Sequence, residues 1–190
     1  REGKKLQVLD LVVRVGDTEY AFARALRLRE EDISGVGGLV ASTSDDDPSR
    51  ALPRPEDCVS VHEQSSEAPE FLRLGAELRP IRRPIGGTFG VWARLRVPVV
   101  AGESVCRTSR VTLPMDCVNL IGVHGLASMT AINADVSAHV TRAPIGEWVA
   151  LCGNTYFDHS VGHGMSVATM SDREGVFGTT STSQLVQPRS

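Results

Sequence analysis

No apolar run in the sequence approaches the roughly 20 residues a helix needs to cross a bilayer, and the opening Arg1-Glu-Gly-Lys-Lys5 lacks the apolar core of a signal peptide. Neither membrane insertion nor a secretory leader is expected, and the cytoplasm is the expected location. Aromatic residues make up only 5% of the chain and its net charge is −3, which argues against a nucleic-acid surface. The four cysteines, Cys58, Cys106, Cys117 and Cys152, have neither Cys-x-x-Cys spacing nor the density of a disulfide scaffold, so they read as reduced thiols. None is assigned as a nucleophile, because a cysteine nucleophile needs a base partner. His159 and His163 flank Gly162 as a metal pair could, but no Cys or Glu stands near them at ligand spacing; loop polarity accounts for them. With 190 residues and 41% apolar content, the chain can bury one substantial core or two small ones.

What is present is alternation, strongest from residue 131 to the end. Ile132, Ala134, Val136, Ala138 and Val140 point one way, and Asn133, Asp135, Ser137, His139 and Thr141 the other. This is the pattern of a half-buried strand with a polar second face. Further strands are expected at Trp148 to Phe157, Met165 to Ser171 and Val176 to Val186, separated by Pro144-Ile-Gly146, by His159 to Gly164 and by Asp172 to Gly175. Upstream, Leu6 to Val15 and Glu19 to Leu28 are strand-like, with a hairpin turn at Gly16-Asp17. Residues 31–70 read as a linker, with Gly35-Val-Gly-Gly38, three consecutive aspartates and prolines at 48, 53, 55 and 69. The glycines lack the Lys-Ser/Thr ending of a phosphate loop. Phe89 to Val97 alternates as a strand with a basic face. Thr108 to Leu126 is the best helix, with Leu113, Cys117, Leu120, Ile121 and His124 at helical spacing; Pro114 should kink it or mark its working start, and His124 reads as packed.

Five pieces occur together in order: Ile132-Asn-Ala-Asp135, Arg142-Ala-Pro-Ile-Gly-Glu-Trp148, Gly162-His-Gly164, Ser171-Asp-Arg-Glu-Gly175, and Gln184 ahead of Pro188-Arg189. Their order and spacing resemble the closing half of the TesB-like (type II) acyl-CoA thioesterases, in particular the actinobacterial thioesterase-like branch of that double-hotdog family. The resemblance implies an α+β hotdog fold, an antiparallel sheet wrapped round one helix. By it, residues 1–30 are the terminal strands of a first, incomplete hotdog, 31–70 the linker and 71–190 a complete second hotdog. The chain would match the C-terminal two thirds of such a protein. Its hairpin edges would then be covered by self-association or by the missing N-terminal segment.

The same resemblance implies an acyl-CoA substrate, water as direct nucleophile, and no metal or organic cofactor. In that family an Asp on the central helix, a Thr on the following strand and a Gln on the last strand contact one water. Carried over by position, these are Asp116, Asn133 and Gln184, with Asn133 standing where the family has Thr. Each has a plainer reading: Asp116 favours a helix first turn by its charge, Gln184 is ordinary on a polar strand face, and Asn133 shares its expected face with Asp135, so that one contacts the water while the other faces solvent or pairs with Arg142. Two other functions stay open, an acyl-CoA-binding hotdog without turnover and a hydratase or dehydratase built on Asp135 and His139.

Overall fold

The computed structural model describes residues 5–33, 35–36, 48–61, 74–85, 88–121, 129–158 and 160–188. The chain divides into two compact units, Arg1–Thr43 and Ser44–Ser190. In the first, strands β1 (Leu6–Val15) and β2 (Thr18–Leu28) form an antiparallel hairpin. Gly16 adopts a φ of 60°, the left-handed conformation that the first residue of a tight two-residue hairpin turn requires. Asp10 faces Arg24 across the pair, and the guanidinium Nε donates to the carboxylate at 2.6 Å.

The second unit holds one sheet of seven strands: β3 (Ala76–Ile85), β4 (Thr88–Leu95), β5 (Met129–Asn133), β6 (Ser137–Val140), β7 (Val149–Asp158), β8 (His163–Asp172) and β9 (Gly175–Pro188). Their spatial order is β3-β4-β7-β8-β9-β5, with β6 also on β9, and every pairing is antiparallel. The sheet curls round helix α1 (Ser109–Asp116), which tightens into a 3-10 turn over Cys117–Ile121. Val111, Cys117, Val118 and Ile121 from this segment pack against Leu78, Val91, Ala93, Val149, Leu151, Ala168, Met170 and Phe177 from the sheet. Each large apolar side chain buried this way contributes about 1.5–3 kcal/mol over leaving it in water. Among the described residues no helix is long and apolar enough to cross a membrane.

Two corrections to the strand expectations follow. A strand precedes Phe89 that alternation does not reveal. It is β3, which carries prolines 80 and 84 and lies at the sheet edge, where a residue without an N–H is tolerated. The expected continuous strand from Ile132 to Thr141 is instead broken between β5 and β6. Asn133 pairs with Gln184 and Ser137 with Ser181, so four steps on one strand oppose three on the other. The extra residue reverses the faces. Ile132 is turned outward and is 50% exposed, whereas Ala138 packs on the core and Asn133 joins the inner face.

The expected helix is also shorter in its described part. Pro114 is buried within α1 rather than at its start, and residues 122–128, with His124, lie outside the described residues. On the outer face, residues 48–61 lie against the sheet: Trp92 Nε1 donates to the Pro53 carbonyl at 2.9 Å and Arg79 Nη1 to the Pro55 carbonyl at 2.9 Å. Cys58 packs there with Ile81, Trp92, Ala150 and Cys152.

Candidate functional site

The C-terminal end of α1 is docked by side chains from the sheet. Helix ends leave carbonyls without intrahelical partners. Thr180 Oγ1 donates to the Met115 carbonyl at 3.2 Å, and Asn133 Nδ2 donates to the Asp116 carbonyl at 2.8 Å. The inner face of β9 is polar, with Thr180, Thr182 and Gln184 all buried: Thr180 serves the helix end, Thr182 donates to the Asp135 carbonyl and Gln184 to Ser166.

Asp116 is the last residue of α1, and its carboxylate is exposed. Its Oδ1 accepts a second bond from Asn133 Nδ2 at 3.0 Å. Asn133 in turn lies directly opposite Gln184 across the β5–β9 ladder. Side chains so paired have Cβ atoms about 4.5–5.5 Å apart. The structure therefore brings Asp116, Asn133 and Gln184 to one place. Asn133 Oδ1 and Gln184 Oε1 are both buried, and among the described residues no group donates to either. Two such acceptors cost about 1–3 kcal/mol each unless a donor meets them, which favours a bound group carrying O–H or N–H bonds.

The row of which Gln184 is part continues across the sheet through Gly164 on β8 to Phe157 on β7. A Cβ at position 164 would stand 2.6 Å from the Phe157 ring, so glycine here lets the ring approach the β8 backbone closely. One row further in, Gln184 Nε2 donates to Ser166 Oγ at 2.8 Å, and Ser166 Oγ lies 2.7 Å from Thr155 Oγ1.

The alternative to Asn133, Asp135, is exposed. Asp135 sits in the bulge, where its Oδ1 accepts from the Ser183 N–H at 2.7 Å and its carbonyl accepts from the Thr182 hydroxyl. That Ser183 contact holds its carboxyl below the usual range. Arg142 does not pair with it. The guanidinium instead forms a two-point bridge to Asp172, at 2.6 and 2.8 Å. His139 lies beyond the bulge, pairing with Thr179 on β9, and the Asp135 carboxylate is spent on Ser183. His163 is exposed at the start of β8, and His159 lies outside the described residues. Among the described residues no group of three or more His, Cys, Asp or Glu could hold a metal ion.

All four cysteines are free thiols. Burial, with a smaller contribution from the neighbouring Asp116 charge, pushes Cys117 up to about 12, and burial pushes Cys152 up to about 11. Both stay protonated at neutral pH and serve as packing groups.

No protein-family model matches the sequence, and comparison with curated proteins finds no match. Solved structures do match. An acyl-CoA thioesterase II of Mycobacterium marinum superposes with a TM-score of 0.64 at 15% identity, over 100% of this chain and 72% of that one. A candidate thioesterase II of Thermobifida fusca gives 0.71 at 10% identity, over 98% and 69%. A protein of unknown function with a hot dog fold from Alicyclobacillus acidocaldarius gives 0.60 at 17% identity, over 100% and 70%. The chain has the hotdog fold.

Within that hotdog, two side chains hydrogen-bonded in line with Gln184 escaped the sequence reading. Ser166 and Thr155 sit on different strands and meet only through the β7–β8 register. The available signal was weak: a serine between Gly164 and Ala168 on the inward phase of β8, and a threonine on the inward phase of β7.

Proposed function

We propose that the protein hydrolyses acyl-CoA thioesters to the free acid and CoA, with a water molecule as direct nucleophile. The observation that supports this reading most is the convergence of the Asp116 carboxylate with two buried amide oxygens, on Asn133 and Gln184, to which no described group donates, inside a hotdog fold. Both contacts made by the Asn133 amide nitrogen go to Asp116, so Asn133 offers the site its oxygen alone. The cluster is a set of acceptors. A water donating one hydrogen to Asp116 and the other to an amide oxygen turns a lone pair outward, toward a thioester carbonyl carbon. Asp116 takes the proton as the carbon–oxygen bond forms and returns it to the departing CoA sulfur as the carbon–sulfur bond breaks. Where the resembling family has a threonine hydroxyl, able to donate or accept, the amide here fixes Asp116 on one side and accepts on the other. No metal or organic cofactor enters this scheme.

The substrate class is tested by measuring CoA release from a panel of acyl-CoAs of rising chain length, alongside calorimetric binding of the same compounds. Turnover of at least one member is the expected result. Binding without turnover would replace this proposal by the binding-module reading, for which the Asn133 departure speaks.

The proposal extends to assembly. Leu11, Val12, Val13, Val15, Tyr20, Phe22, Leu26 and Leu28 of the hairpin are all at least 43% exposed within their own unit. Exposed apolar strands of that kind invite pairing. Self-association, or pairing with a preceding hotdog segment, would cover them. Sedimentation velocity at micromolar concentration should show an assembly. A monomer whose hairpin amides stay protected from hydrogen exchange would contradict it.

A further inference from the structure

Gln184 can serve an incoming water as acceptor or compete with it as donor, depending on which end of its amide faces Asp116 and Asn133. The two ends are nearly equal in size, so sterics alone do not choose. The choice falls to Ser166, the residue that takes the other end. Ser166 is fully buried at 0% exposure, so its hydroxyl proton needs an acceptor inside the protein. Its neighbours are Gln184 Nε2 at 2.8 Å and Thr155 Oγ1 at 2.7 Å.

We infer that Ser166 and Thr155 are positioning residues that set the polarity of this chain of hydrogen bonds and thereby hold Gln184 Oε1 toward the Asp116–Asn133 cluster. This rests on the hydrolytic reading above and goes beyond it. Thr155 accepts the Ser166 proton. Ser166, with its proton committed, accepts from Gln184 Nε2, and the amide carbonyl is left to face the site. Thr155 is only partly buried and can send its own proton outward. Without the Thr155 oxygen, Gln184 is the one described side-chain partner left to take the Ser166 proton, through Oε1. The amide then reverses and places its NH2 against the two acceptors that a water must reach. Neither Ser166 nor Thr155 contacts the Asp116 or Asn133 side chain through any described hydrogen bond, so their influence on the site passes through Gln184.

The test uses Thr155→Val, which keeps the shape and removes the hydroxyl, Thr155→Ser, which keeps the hydroxyl, and Ser166→Ala, each alone and on a Gln184→Ala background. Displacing an aligned polar group costs about ten- to a hundredfold in rate, so Thr155→Val and Ser166→Ala should lower kcat by that factor with KM held within about twofold. Thr155→Ser should keep wild-type kcat. On the Gln184→Ala background neither substitution should lower kcat further. Wild-type kcat in folded Ser166→Ala, or effects that multiply on the Gln184→Ala background, would overturn the inference. A readout independent of turnover is the exchange of the Gln184 side-chain amide protons by NMR. They should exchange slowly in the wild type and Thr155→Ser and fast in Ser166→Ala. If the wild type shows no hydrolysis, the functional reading fails, while slow exchange still upholds the anchored amide; fast exchange in the wild type sinks it.

Discussion

Asp116→Asn is expected to lower acyl-CoA hydrolysis by about a hundredfold to ten-thousandfold, the range that loss of a general base produces. The protein should stay folded, because Asp116 is exposed at the end of α1 and an asparagine oxygen can still accept from Asn133 Nδ2. Gln184→Ala removes an orienting contact and leaves the buried Ser166 hydroxyl without its donor, at a stability cost of about 1–3 kcal/mol. The informative quantity is the combination. Both side chains act on one water, so the double variant should lose much less activity than the product of the two single losses. Turnover and thermal unfolding of the three variants check this together. Undiminished hydrolysis in folded Asp116→Asn would remove the proposed base.

The second large effect is structural. Asp172 has a fully buried carboxylate that accepts from Arg142 Nη1 at 2.6 Å, Arg142 Nη2 at 2.8 Å, the Ile145 N–H at 2.7 Å and the Glu174 N–H at 2.8 Å. It ties the connection before β7 to the β8–β9 turn, while the Arg142 guanidinium lies 5.4 Å from the centre of the Phe177 ring. Asp172→Asn would leave Arg142, about a third exposed, without its counter-charge; a loss of about 3 kcal/mol is expected, at the low end for a buried pair because of that exposure. Burial acts to raise the Asp172 pKa, but Arg142 and the two backbone N–H groups outweigh it and hold the carboxyl below its ordinary value. A carboxyl depressed in the folded state contributes stability above its unfolded pKa of about 3.9, and that contribution disappears as pH falls through the folded value. Denaturant unfolding from pH 7 to pH 3 should therefore show a constant gap between wild type and variant above about pH 5 that narrows below about pH 4. A gap unchanged at pH 3, or under about 1 kcal/mol at pH 7, would contradict this assignment.

How much of this was legible in the sequence depended on whether the signal was local. The Gly16-Asp17 hairpin was readable because the turn states its own chemistry, and the turns flanking β8 were readable for the same reason. Strand β3 was hidden by prolines 80 and 84, which an edge position tolerates but which break alternation. The bulge between β5 and β6 left no mark in the residue pattern. Ile132 and Ala138 alternate in phase along the sequence yet face opposite ways, since the reversal is set by how Asp135 and Ser183 pair across strands. Asn133, Asp116 and Gln184 were reached through a resemblance carried position by position. Their meeting depends on a helix end and two strands, so spacing alone could not have assembled them. Ser166 and Thr155 stayed invisible because register brings them together, and an inward serine in a strand is unremarkable on its own.

The measurement closest to the central claim is a single turnover of an acyl-CoA by excess protein in water enriched in 18O. If the water held by Asp116, Asn133 and Gln184 attacks the thioester directly, the acid released in that first turnover carries one 18O. Unlabelled acid would mean that a carboxylate of the protein attacked first and transferred its own oxygen, and absence of any acid would mean that the cluster does not hydrolyse thioesters; either result contradicts the account.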